Sequence, residues 1–63
     1  MEVKNVELET FSDGSRFYSE ILADCQMEDG STVKKVLCKT HKVRSFEENC
    51  RNAYELFSIA STL

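Results

Sequence analysis

Sixty-three residues, 41% apolar and without proline, describe one small folded domain, too apolar for a disordered chain and barely long enough to enclose a ligand cavity of the usual size. The formal net charge is −3, and no apolar run approaches the roughly 20 residues that a membrane-crossing helix needs. The first nine residues, MEVKNVELE, lack the basic and apolar regions of a signal peptide, so the expectation is a cytoplasmic protein with no membrane partner.

The first predicted element is a strand over about residues 3–11. Val6, Leu8 and Thr10 alternate with Glu7 and Glu9, the pattern of a half-buried strand. Ser12-Asp13-Gly14-Ser15 follows, with the turn chemistry that Glu28-Asp29-Gly30-Ser31 repeats later. Two turns of this kind suit a three-stranded meander. A two-residue turn here would pair Val6 with Ile21, Leu8 with Ser19 and Thr10 with Phe17. It would also set Glu7 opposite Glu20, an unfavourable like-charge pair that Lys39 could relieve.

A second strand is predicted over about 16–27 and a third over about 31–39, joined at Asp29-Gly30. Asp-Gly suits a type I′ turn, whose two central residues both take positive φ. Closing that turn on Glu28 and Ser31 pairs Asp24 with Lys35, Glu20 with Lys39, Leu22 with Leu37, Ile21 with Cys38 and Ala23 with Val36. A slip of one residue would send each side chain to the other face and remove those matches. The alternative is a helix over Ser15–Gln26, because Tyr18, Ile21, Leu22 and Cys25 also fit a 3.6-residue period. It would give a β-α-β-α chain.

Thr40–Arg44 reads as a connection. Ser45-Phe46-Glu47-Glu48 is a capping box, with a serine hydroxyl placed for the Glu48 amide and two acids at the positive end of the helix dipole. The helix should span about 46–61 and turn Phe46, Cys50, Ala53, Phe57 and Ala60 to the sheet, with Leu56, Ile59 and Leu63 widening the stripe. The expected fold is α+β, a three-stranded antiparallel meander with one C-terminal helix on one face (β-β-β-α).

That register assigns Val6, Leu8, Phe17, Ile21, Ala23, Cys25, Val36 and Cys38 to the helix side, with Lys34 a misfit among them. The opposite side carries Phe11, Tyr18, Leu22, Val33 and Leu37, among Glu7, Glu9, Glu20, Asp24, Lys35 and Lys39. One helix cannot cover both sides. An apolar strip rimmed by charge is how many interfaces look, so Phe11, Tyr18, Leu22, Val33 and Leu37 are the expected partner-binding residues. A chain this short buries only about 60% of its unfolded surface and gains from association. The partner would be a second copy, giving a homodimer, or another protein. The outer strands also offer unpaired edges.

The three cysteines, Cys25, Cys38 and Cys50, are odd in number and form no CxxC pair, so they read as core residues of a reducing compartment. Cys38 and His41 stand three apart, a spacing too thin for a zinc site, and nothing orients them as a nucleophile and base. Both glycines lie in turns, leaving no phosphate loop. The expectation is a protein without cofactor, metal or enzymatic activity.

Charge is unevenly spread. Residues 1–30 hold two basic and eight acidic side chains, and residues 31–63 hold six basic and three acidic. Lys34, Lys39, His41, Lys42 and Arg44 form a basic region that could contact nucleic acid or an acidic partner. Complementarity between acidic first strands and a basic third strand is the plainer reading. In topology the predicted fold resembles the DNA-binding domains of plant ethylene-response factors and the arm-site domains of some integrases, which lay an open sheet face in the major groove. Such domains present arginine and aromatic side chains there, whereas this face carries Glu7, Glu9, Glu20 and Asp24. The leading expectation is therefore a small protein-interaction module, an adaptor or inhibitor acting through its open sheet face as a homodimer. The alternative is a nucleic-acid-binding domain using the Lys34–Arg44 region. A short chain of this kind also looks like an accessory or mobile-element protein.

Overall fold

The computed structural model describes residues 2–62, so Leu63 lies outside the described residues. Strands β1 (Glu2–Asp13), β2 (Arg16–Gln26) and β3 (Thr32–Lys39) form an antiparallel sheet in the order β1-β2-β3, and helix α1 (Phe46–Ala60) follows. The β-β-β-α expectation holds. The helical alternative over Ser15–Gln26 does not, because β2 alternates strictly: Ser19, Ile21, Ala23 and Cys25 are buried, and Tyr18, Glu20, Leu22 and Asp24 between them are half-buried. Period 2 wins here because β2 is the central strand, with a helix on one of its faces.

Both turns depart from the expected register for one reason. A type I′ turn at Asp-Gly would force the aspartate as well as the glycine to positive φ. In each observed turn only the glycine takes it, Gly14 at φ 68° and Gly30 at φ 90°. The first turn places Gly14 and Ser15 at its centre and closes on Asp13 and Arg16, the pattern of a type II′ turn. Leu8 therefore pairs with Ile21, Thr10 with Ser19 and Ser12 with Phe17, and Glu9 rather than Glu7 stands opposite Glu20. The shift is two residues, so each side chain keeps its predicted face.

The second turn is one residue longer. Gly30 N–H donates to the Met27 carbonyl at 3.0 Å and Met27 N–H donates to the Ser31 carbonyl at 2.8 Å, enclosing Glu28-Asp29-Gly30. The Asp29 carboxylate accepts from the Ser31 amide (2.9 Å) and hydroxyl (2.6 Å). Those hydrogen bonds hold its pKa below the ordinary carboxylate value, the hydroxyl contributing most.

The odd shift exchanges faces along β3. Asp24 pairs with Lys34 instead of Lys35, Ala23 with Lys35 instead of Val36, and Leu22 with Val36 instead of Leu37. Val33, opposite Cys25, moves to the helix side, and Val36 moves to the open side. A bulge at Leu37 then restores the predicted pairs Ile21–Cys38 and Glu20–Lys39. The exchange moves Lys34, the misfit, to the open side and brings Lys35 to the helix side opposite Ala23. A second bulge sets Asn5 and Val6 of β1 against Ala23 alone. Asn5 takes φ 56° there, and its side-chain amide donates to the Asp24 carboxylate at 2.9 Å. Asparagine tolerates this left-handed backbone better than most residues.

The connection after β3 stays against β2. Thr40 N–H donates to the Ser19 carbonyl at 2.9 Å, and Phe17 and Val43 exchange both backbone hydrogen bonds, at 2.7 and 2.9 Å. Thr40 and Val43 are buried, while His41 and Lys42 between them are exposed.

The helix begins where predicted, with Ser45 Oγ accepting from the Glu48 amide at 3.2 Å. Its buried face is turned from the expected one. Asn49, Ala53 and Ala60 are buried and Asn52, Leu56 and Phe57 half-buried, whereas Cys50 is exposed and Phe46 remains 55% exposed despite an edge-on contact with Phe17. Cys50 is thus not a core residue, Cys38 is half-buried, and only Cys25 is fully enclosed. Asn49 causes the rotation. Its Nδ2 donates to Ser19 Oγ at 3.0 Å, and Thr40 Oγ1 donates to its Oδ1 at 3.2 Å. Thr40 Oγ1 also accepts from the Ser19 amide at 2.7 Å, and Ser19 Oγ lies 3.0 Å from Thr10 Oγ1. The amide at 49 is worth burying because both its ends find partners.

Two substitutions test this account. Asn49→Ala should destabilise the fold by about 2–3 kcal/mol, since it strands buried hydroxyls, while Cys50→Ala should stay within roughly 0.5 kcal/mol. Asn5→Val should cost about 1–2 kcal/mol where Asn5→Gly costs little. Urea titrations followed by circular dichroism measure each difference.

Candidate interaction face

Three adjacent strands spaced about 4.8 Å apart and up to about 40 Å long make a narrow slab. The 15-residue helix is only about 22 Å long and lies on one side of it. The Cα extents are 41 × 22 × 13 Å, and the radius of gyration is 13.0 Å, against about 10.6 Å for a compact chain of this length. The elongation leaves the second sheet face without a covering element.

That face is organised in rows set by the pairing. Phe11 stands beside Tyr18; Glu9, Glu20 and Lys39 form the next row; Glu7, Leu22 and Val36 follow; Lys4, Asp24 and Lys34 end it. The Phe11 and Tyr18 rings stack with centroids 5.2 Å apart. Leu22 is half-buried and Val36 is 43% exposed.

Ion pairs straddle this apolar strip. Lys34 Nζ reaches across from β3 to Glu7 of β1 at 3.0 Å, over Leu22. Lys39 Nζ lies 3.6 Å from Glu20. Lys42, from the segment after β3, pairs with Asp13 of β1 and sets its ammonium 5.6 Å from the centre of the Tyr18 ring, a cation–π geometry. The hydrogen bond from Lys42, with its charge, holds the Asp13 carboxyl below the ordinary value. The hydrogen bond to Glu7, with its charge, holds Lys34 above the ordinary lysine value. The acidic margin is thus β1, with Glu7, Glu9 and Asp13, and the basic margin is β3 and its continuation, with Lys34, Lys39 and Lys42.

Of the five residues expected to bind a partner, Phe11, Tyr18 and Leu22 share this face. Val33 lies on the helix side instead, because of the longer turn, and Leu37 is the extra residue of the bulge, half-buried and without a register partner. Val36 takes their place, and only the turn geometry could have revealed it. Of the basic region, Lys34, Lys39 and Lys42 are committed to carboxylates. Arg44 is exposed just before the helix. His41 lines a shallow cleft of about 320 Å³ with Lys39, Thr40, Asn52, Glu55 and Leu56. The buried Asn52 Nδ2 in that cleft has no hydrogen-bond partner among the described residues. Among the described residues, no three of His, Cys, Asp and Glu gather as a metal cluster, and no helix is long and apolar enough to cross a membrane.

No protein-family model, curated protein or solved structure matches the chain.

The Asp13–Lys42 pair gives a pH prediction. A depressed carboxyl contributes stability above its unfolded pKa and loses it as pH falls through the lower folded value. Asp13 should therefore titrate below 3.8 in a carbon-detected NMR titration, and Lys42→Met should move its midpoint back up toward the ordinary value.

Proposed function

We propose that this chain is a small protein-interaction module of adaptor or inhibitor type that acts by binding rather than catalysis, through the open face of its sheet. The observation that carries this reading is the uncovered strip of Phe11, Tyr18, Leu22 and Val36, with acids along one margin and bases along the other. Apolar centres with polar, chargeable rims characterise protein–protein interfaces, and stacked aromatics are common anchors in them. The partner surface this face suits is apolar at its centre with opposite charges at its margins.

Nucleic acid suits the face less well. Lys34, Lys39 and Lys42 already sit within ion-pair distance of Glu7, Glu20 and Asp13. Phosphate would have to displace those carboxylates, which would then repel the backbone. The reading places the protein in the cytoplasm, where the thiols of Cys25, Cys38 and Cys50 stay reduced.

A photo-crosslinking amino acid placed at Val36, and separately at the outward-facing Tyr54 of the helix, tests the reading in native lysate. Discrete adducts from position 36, to another copy or to a different protein, with none from position 54, are expected. Equal yields from both positions, or none from either, would refute the assignment of the face. Salt-titrated binding to random duplex and single-stranded DNA should show no salt-sensitive affinity.

A further inference from the structure

We infer that β3 is a two-register switch: residues 32–37 slide by one position against β2, which turns each of their side chains to the other face of the sheet. The switch belongs to the single chain and needs no partner.

The observed pairing already contains the seam of such a slide. From Gln26–Thr32 to Leu22–Val36 the partners follow one register, and at Ile21–Cys38 and Glu20–Lys39 they follow the next. Leu37 is the residue left over between them. Sliding residues 32–37 one place toward the turn extends the second register along the whole strand. Asp24 then faces Lys35, Ala23 faces Val36 and Leu22 faces Leu37. The loop Glu28-Asp29-Gly30 contracts to a two-residue turn closed by Glu28 and Ser31. Beyond the seam nothing moves, because Ile21–Cys38, Glu20–Lys39 and the hydrogen bond from Thr40 N–H to the Ser19 carbonyl belong to that register already.

Burial does not choose between the two. A register is strongly specified where one face of a strand is buried, and weakly where neither is. Residues 32–36 are all exposed, since the helix lies mainly over β2. Val33-Lys34-Lys35-Val36 is moreover a palindrome. Turning it over replaces Val33 and Lys35 by Val36 and Lys34 on the helix side, and does the reverse on the open side. The two valines, now on opposite faces, are each 43% exposed, so neither face shelters them better.

The polar contacts also offset one another. The observed register has the exposed Lys34–Glu7 pair at 3.0 Å and the hydrogen bonds from Ser31 to Asp29 in the longer loop. An exposed ion pair of this kind is weak. The second register sets Lys35 opposite Asp24 and gives Leu37 a cross-strand partner in Leu22. It asks Asp29 for a positive φ, which aspartate tolerates in a type I′ turn.

The open face therefore has two compositions. Lys34 and Val36 stand on it in one register, and Val33, Lys35 and Leu37 in the other. A molecule that touches this face binds one composition better and shifts the population toward it.

Amide relaxation-dispersion and saturation-transfer NMR test the switch on the wild-type chain and on Lys34→Val and Lys35→Val. Exchange should centre on residues 22–37 and leave Ser19, Thr40 and Asn49 still. Lys34→Val removes the Glu7 pair of the first register and gives the second an apolar side chain on the helix side. It should raise the second population at least about threefold, and Lys35→Val, which does the reverse, should lower it by a similar factor. In Lys34→Val, nuclear Overhauser contacts should grow between Asp24 and Lys35 and between Leu22 and Leu37, while Leu22–Val36 contacts weaken. Absence of exchange in both the wild type and Lys34→Val overturns the switch. Exchange that spreads to Ser19 and Thr40 also overturns it, as the mark of the whole edge detaching. So do populations that move the same way in both variants, the mark of a lost lysine rather than of a register.

Discussion

A single amide side chain ties the helix to the sheet. Asn49 is fully buried between Ser19 and Thr40, donating to one and accepting from the other. Burying an amide without partners is costly, so a helix rotation that left it unpaired would lose much of what the alanine face gains. Most of the fully buried apolar residues at this interface are small, Ala23, Ala53, Ala60 and Cys25 beside Ile21, and small residues allow close approach but fix direction poorly. The polar contact supplies that direction. It also helps hold Thr40 against β2, while Val43 is held there by its backbone hydrogen bonds with Phe17. The residue after β3 is part of the clamp.

The element types were legible in the sequence, and so was the helix start, because alternation, Asp-Gly-Ser turns and a capping box are local signals. The register was legible only in part. Identical Asp-Gly-Ser triplets make turns of different length, two residues at Gly14-Ser15 and three at Glu28-Asp29-Gly30. The choice between them depends on which residue takes positive φ and on how the flanking strands pair. One added residue moved Val33 and Val36 to opposite faces, and the bulge at Leu37 undid the shift before Lys39. The misfit of Lys34 on the predicted core face was no trace of this, because the observed register sets Lys35 on that face instead, opposite Ala23.

The helix stripe failed for a different reason. Periodicity weighs Cys50 above Asn49 because it counts apolar residues. It has no means to see that Ser19 and Thr40, 30 and 9 residues away, complete the hydrogen bonding of the asparagine. Long-range polar satisfaction is invisible to a local pattern, and it outweighed one exposed thiol.

The bulges and ion pairs also shape what the open face can do. Both outer strands are interrupted, β1 at Asn5 and β3 at Leu37, and bulges on edge strands discourage edge-to-edge addition of further strands. The outer edges are thereby poorly suited to pairing with further strands. On that face, the pairs Lys34–Glu7 and Lys42–Asp13 span the sheet from margin to margin, so the uneven charge of the sequence is largely consumed within one chain. In the central row Glu9 and Glu20 adjoin, Lys39 lies beside Glu20, and the charge of Lys34 reaches Glu9 across the strip.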